Sequence, residues 1–274
     1  MLGHDLVPLL SRTHRVRGVD LEDFDITDRS TTAGFIQAEM PEVVIHAAAY
    51  TNVDAAESDP AAATAVNSRG AENLASACRE AGVRMILIST DYVFNGEKRT
   101  PYLESDRPDP VNAYGRSKLE GEILARRALP SVTVVRTAWL YGAGGGNFIT
   151  KILAAANGRD RLQVVADEVG SPTWTKDLSA GLGRLIEGGA FGPLYHMAGA
   201  GACSRYELTE ELFSLLGIKD CRLEPVGKES FPTPARRPAY SVLASERLGL
   251  ENIEQLRHWR EALNEFAALL PGRK

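Results

Sequence analysis

Four short β-branched runs, at residues 15–19, 43–47, 85–89 and 132–136, alternate with stretches at 29–39, 60–81 and 113–128 that carry apolar residues at helical spacing. A strand that recurs only after a helix-length interval cannot pair through a tight hairpin; it returns in parallel by a crossover. The alternation therefore specifies βαβ units, and these build an α/β fold with a doubly wound parallel sheet of Rossmann type. Gly82 falls just past the 60–81 pattern, where a helix end favours a residue free to turn left-handed.

Beyond Tyr141 the regular alternation stops. A glycine-rich loop at 142–146, an apolar helix at 148–156 and shorter segments without fixed order follow. This half reads as a small C-terminal α/β substrate-binding lobe. The expected division is 1–142 for the dinucleotide-binding domain and 143–274 for a part that is mainly lobe and interleaves with the first.

Composition removes several function classes. The net charge is −5 and the Lys and Arg residues are scattered, so no basic stripe exists to meet a phosphate backbone and no nucleic acid is expected. The longest apolar runs fall far short of the roughly 20 residues of a membrane span. No basic, apolar and small-residue succession opens the chain, so the expectation is a cytoplasmic protein without a membrane partner. Cys78, Cys203 and Cys221 are odd in number and widely spaced, which argues for reduced thiols and against a disulfide framework or a metal site.

Tyr114 and Lys118 stand four residues apart at the start of the 113–128 helix, so both side chains fall on one face. A phenol with an ordinary pKa near 10 exchanges protons at neutral pH only if a neighbouring positive charge favours the phenolate, and a lysine ammonium supplies one. The spacing alone is a weak signal. Its position strengthens it, because the 85–89 strand ends in Ser89-Thr90-Asp91, and doubly wound sheets present ligand-binding residues at strand carboxyl ends. Thr90 is there a candidate to hydrogen-bond a carbonyl oxygen, against the alternative of an ordinary strand or cap residue.

Ser89-Thr90-Asp91-Tyr92-Val93-Phe94, then Tyr114 with Lys118, then Ala138-Trp139-Leu140-Tyr141-Gly142 resemble the dTDP-4-dehydrorhamnose reductase family of the extended short-chain dehydrogenases/reductases. Gly170-Ser171-Pro172-Thr173 and Pro232-Thr233-Pro234-Ala235-Arg236-Arg237-Pro238 with Ser241 extend the likeness over the whole chain. The resemblance implies reduction of the 4-keto group of dTDP-4-dehydro-L-rhamnose by NADPH or NADH; a homodimer is a candidate assembly. It implies that Tyr114 protonates the alkoxide, that Lys118 lowers the phenol's pKa and holds the nicotinamide ribose, and that Thr90 completes the carbonyl-binding group. Thr90, Asp91 and Trp139 are the implied sugar contacts. Arg237 is a candidate for the diphosphate, with a solvated surface arginine as the alternative.

Cofactor contacts are expected in the loops that rim the crevice: Asp20 for a ribose hydroxyl, with a turn or cap residue as the alternative, and Ala47, Ala48, Ala49, Tyr50 and Thr51 along the pyrophosphate and ribose; the resemblance implies Asp25 and Ile26 at the adenine and adds Ile88, Tyr114 and Lys118 to the cofactor contacts. Asp20 favours NAD over NADP, while nearby Arg17 leaves both open. The family opens with a strand running into Gly-x-x-Gly-x-x-Gly. Met1, Leu2 and Gly3 read as the end of that turn, with Gly3 its third glycine, so the first strand and about ten residues are expected to lie outside the chain.

Two other readings share the fold. An epimerase or 4,6-dehydratase needs a second acid–base group, and Asp91 is followed by Tyr92 rather than by a carboxylate. A non-catalytic nucleotide-binding protein, of the type of the methionine adenosyltransferase regulatory subunit, would have no need of Tyr114 and Lys118.

Overall fold

The structure, a computed structural model, describes residues 1–270. In chain order the first half contains α1 (Leu2–Leu10), α2 (Arg29–Glu39), β1 (Val43–His46), α3 (Val53–Ser58), α4 (Pro60–Thr64), α5 (Ala71–Ala81), β2 (Arg84–Thr90), α6 (Ala113–Ala128) and β3 (Thr133–Thr137). The second half adds β4 (Leu140–Tyr141), α7 (Phe148–Ala156), β5 (Arg161–Val165), β6 (Val169–Gly170), β7 (Thr173–Trp174), α8 (Thr175–Glu187) and β8 (Leu194–His196). It ends with β9 (Cys203–Ser204), α9 (Arg205–Leu216), β10 (Arg222–Val226), α10 (Arg247–Leu250) and α11 (Trp259–Leu269).

The main sheet runs β1-β2-β3-β8, all parallel. Alternate residues of β2 serve opposite faces, as the period of a strand requires. Met85 and Leu87 pack with α2, α5 and α6 through Ile36, Leu74, Cys78 and Ala125. Ile86 and Ile88 pack with α1 and α8 through Leu6, Leu10, Leu178 and Leu182. Helices thus cover both faces of a Rossmann-type sheet, and β2 and β3 are buried on both sides.

Local chemistry sets the helix ends. The Asp28 carboxylate accepts from the Ser30 and Thr31 amides to start α2, and Asn112 accepts from the Gly115 amide at 2.7 Å to start α6. Gly82 ends α5 at φ +69°, the left-handed region that its missing Cβ makes accessible.

Two expectations are corrected. Residues 15–19 form no strand: a ladder needs a neighbour, and among the described residues β1 is the last strand on that side of the sheet. Residues 60–81 are not one helix. A π-helical turn at Ala65–Gly70 separates α4 from α5, because the extra residue of that turn aims Asn67 and Ser68 at α6.

The lobe has its own core, where Trp259, Phe266, Tyr141, Trp174 and Leu212 pack together beside the parallel pair β5–β10. The chain returns from it to the main sheet twice, with α8 against α1 and with β8 against β3. Among the described residues no helix is long and apolar enough to cross a membrane.

Candidate active site

Strand β2 delivers its last residues, buried, to the carboxyl edge of the sheet. Thr90 ends the strand with its hydroxyl accepting from the Tyr92 amide at 3.2 Å and donating to Asp91 Oδ1 at 3.0 Å. The Tyr114 phenol, on the first turn of α6, stands near the same hydroxyl, and its ring meets Tyr92 edge-on at 5.6 Å. Gly115 makes this approach possible: a Cβ there would stand 2.1 Å from the Tyr92 carbonyl oxygen.

The expected coupling of Lys118 to Tyr114 takes a different form. Lys118 lies on the same face of α6, and its ammonium donates to the Ile88 carbonyl at 2.7 Å. Burial therefore dominates Tyr114 and pushes its pKa up, against the Thr90 hydrogen bond, so the phenol holds its proton at neutral pH. Burial also lowers Lys118 to about 8, with the Glu122 charge opposing it. One of three ammonium hydrogens is engaged among the described residues, so two remain for a ligand's hydroxyls.

Asp91 is 2% exposed. Burial raises its carboxyl to about 6, although the Ser241 and Thr90 hydroxyls and the Arg205 charge favour ionisation. Among the described residues Oδ2 is buried without a hydrogen-bond partner.

Trp139 occupies φ +44°, a left-handed conformation that costs a non-glycine residue roughly 1–2 kcal/mol. Its ring is clamped. A Cβ on Gly170 would come within 2.3 Å of the indole, and the Arg205 guanidinium lies 3.4 Å from the ring centroid on α9. Arg205 also covers Phe148 at 4.8 Å.

A cleft of ≈ 890 Å³ in the lobe is lined by Lys151, Arg159, Arg161, Arg205, Lys228, Arg236 and Arg237 against Glu168 and Glu229, and Arg205 links it to Trp139. Arg237 sits on this wall, with its fork already engaged on Asp54 at 3.1 and 2.8 Å and on Thr233.

On the cofactor side, Met1, Leu2 and Gly3 form the start of α1, where no side chain caps the amides and nothing lies within 4 Å of a Cβ on Gly3. Ala47 and Ala48 are exposed where the chain leaves β1, and Thr51 is exposed beyond them. The loop is fixed by Asn67, which accepts from the Tyr50 amide at 2.8 Å and donates to the Tyr50 carbonyl at 3.1 Å and to Ser117 at 2.9 Å. Tyr50 and Tyr114 then pack on one alanine cluster, Ala56, Ala63 and Ala113. Asp25 closes a turn on the Thr27 amide, and the Ile26 carbonyl is held by Asn73 at 3.0 Å. The exposed Asp20 carboxylate is turned onto the Leu21 amide at 2.9 Å, the role of a turn residue. An uncapped helix start, a rim of alanines and a lysine with free donors fit a dinucleotide.

Sequence reasoning missed three parts of this arrangement. Asn67 carried no visible signal, since it acts through a π turn. Arg205 was marked only indirectly, by the Ser204–Glu207 capping box that starts α9. The third is a buried pair beneath the site: Arg136 donates to Glu122 at 2.9 and 2.7 Å, and Ser89 donates to Glu122 at 2.5 Å. Burial alone would raise the Glu122 carboxyl, but Arg136 and Ser89 outweigh it and hold it below the usual range.

Rossmann-type chains with a tyrosine and a lysine one helical turn apart, beside the carboxyl end of a central strand, make up the short-chain dehydrogenase/reductase class, and this fold and site belong to its extended branch. Within that class the chain belongs to the family described as RmlD substrate binding domain, whose profile matches residues 1–270. It is 42% identical over 279 residues to a dTDP-4-dehydrorhamnose reductase of Streptomyces griseus, covering 100% of this chain and 92% of that one. It is 40% identical over 272 residues to a dTDP-4-keto-6-deoxy-D-glucose reductase of Streptomyces niveus, covering 98% and 94%. A solved dTDP-4-dehydrorhamnose reductase of Bacillus anthracis, in complex with NADP, superposes with a TM-score of 0.94 at 36% identity, covering 98% of this chain and 95% of that chain.

Proposed function

We propose that this protein reduces the 4-keto group of dTDP-4-dehydro-L-rhamnose to the alcohol of dTDP-L-rhamnose in the cytoplasm, using NADPH or NADH. The reading is supported by the placement of Thr90, Asp91 and Tyr114 at the carboxyl end of the central strand, together with a cation-lined cleft in the lobe large enough for a sugar nucleotide, whose Arg205 stacks on Trp139.

The nicotinamide cofactor supplies the hydride. Tyr114 holds its proton at neutral pH and donates it to the oxygen as the carbonyl becomes an alkoxide. Thr90 turns its hydroxyl from Asp91 toward that oxygen and fixes the carbonyl beside the phenol. Lys118, anchored through Ile88, offers its remaining N–H donors to the nicotinamide ribose. Ala47, Ala48 and Ala49 would admit the cofactor backbone, and the amides at the start of α1, at Met1, Leu2 and Gly3, would hold its pyrophosphate. Asp91 and Trp139 contact the sugar ring. A proton from Tyr114 and a hydride together balance the conversion of C=O to CH–OH, and no water leaves. This fits the absence of a second carboxylate beside Asp91, where Tyr92 stands.

The test is incubation with dTDP-4-dehydro-L-rhamnose and either reduced cofactor, with the product identified by NMR. Stoichiometric formation of dTDP-L-rhamnose with loss of the reduced nicotinamide is expected. Oxidation of neither cofactor with this sugar would refute the reading.

A further inference from the structure

Two of the cleft's cations, Arg205 and Arg237, are half-buried, while Lys151, Arg159, Arg161, Lys228 and Arg236 are exposed. An exposed cation is strongly hydrated and carries little fixed direction; a half-buried arginine presents a planar fork in one orientation. The two differ in what they have left to offer. Arg237 is engaged on both Asp54 oxygens, on the Thr233 hydroxyl and on the Ala235 carbonyl. Arg205 has its guanidinium laid on Trp139 at 3.4 Å and on Phe148 at 4.8 Å, and among the described residues its side chain closes no hydrogen bond or ion pair. A guanidinium stacked by its face directs its five N–H donors outward from its edge, into the cleft. Asp91 and Glu168 lie within electrostatic reach and favour its charge without bonding to it.

Resting on the function proposed above, we propose that Arg205, and not Arg237, is the residue that reads the diphosphate of the sugar nucleotide. The stack sets its place. Trp139 is the sugar contact of that reading, and in a sugar nucleotide the diphosphate directly follows the sugar. A fork held on the Trp139 face therefore meets the diphosphate as the sugar reaches Thr90 and Tyr114, and bidentate N–H···O bonds to phosphate oxygens match its planar geometry. Ser204 and Glu207 hold the residue in place by fixing the first turn of α9 through a reciprocal cap, with bonds of 3.1 and 2.7 Å.

The experiment is calorimetric titration of the wild type, Arg205→Gln and Arg205→Lys with dTDP and, separately, with NADPH. Removing a charge-assisted fork is expected to weaken dTDP by about tenfold or more, with Arg205→Lys intermediate because it keeps the charge without the fork. NADPH affinity is expected to hold, which reports a folded variant; if Gln disrupts the lobe, the Lys variant carries the same test. If Arg205 were only a cushion for Trp139, turnover would fall while dTDP affinity stayed within about twofold, and that outcome overturns the proposal. A wild type that does not bind dTDP at all would instead sink the underlying function, and this inference with it.

Discussion

At the scale of single residues the site depends on which protonation states burial permits. Tyr114 is kept neutral by burial, as a proton donor requires, whereas Asp91 titrates near 6. The ionised carboxylate accepts the Thr90 hydroxyl in the free protein and, once Thr90 turns to the ketone, is left to accept from the sugar's hydroxyls; the protonated form loses that acceptor capacity. The Asp91 pKa is raised, so the working form exists above about pH 6 and is lost as pH falls through it. The pH profile of kcat/KM for the sugar nucleotide is therefore expected to show an acid limb near about 6 that Asp91→Asn abolishes. A limb that persists unchanged in that variant would assign it to another group. Thr90, Asp91 and Tyr114 were legible in sequence because strand-end position and helical spacing are local properties. Arg205 was not, because its relation to Trp139 depends on two segments 66 residues apart meeting across the lobe.

At the scale of elements, the packing of α6 against its neighbours decides whether those residues meet. Gly121 is the closest approach of α6 to the π turn: a Cβ there would stand 2.1 Å from the Asn67 carbonyl oxygen. Gly121→Ala is expected to cost roughly 1–3 kcal/mol in chemical unfolding. It should also weaken NADPH binding, since Asn67 holds the Tyr50 loop. An unchanged midpoint would contradict the close approach. Beneath the site, Arg136 and Glu122 are both nearly fully buried. Arg136→Met leaves an unpaired carboxylate there and should lower stability by roughly 3–5 kcal/mol, measured in urea. Glu122→Gln with Arg136→Met should recover part of the loss, because the cost is the orphaned charge. The helices α2 and α6 were legible to the residue, through their apolar spacing. The break between α4 and α5 was not, because periodicity does not register one extra residue in a turn whose reason is a tertiary contact. Residues 15–19 misled for a related reason: β-branched composition describes a willingness to pair, and pairing needs a neighbour.

At the scale of the whole molecule, the charge is divided. The chain carries a net −5, yet seven cations face two carboxylates in the cleft. Global composition shows no nucleic-acid surface and conceals a local field suited to a dianionic ligand. KM for the sugar nucleotide is accordingly expected to rise several-fold between about 0.05 and about 0.5 M salt, with the affinity for an uncharged sugar unaffected. A salt-independent KM would mean that the cleft does not hold the diphosphate. The alternating first half was legible as a doubly wound sheet, whereas the lobe was not legible in detail, because its two-residue strands β4, β6, β7 and β9 are too short to show a period. The central claim is that the buried phenol of Tyr114 delivers the proton as the sugar's ketone accepts a hydride. It is tested most directly by comparing turnover of dTDP-4-dehydro-L-rhamnose by the wild type and Tyr114→Phe, with NADPH affinity measured on both. The account predicts a loss of about 10²–10⁴-fold in kcat with cofactor affinity retained; turnover by the phenylalanine variant at the wild-type rate would contradict it.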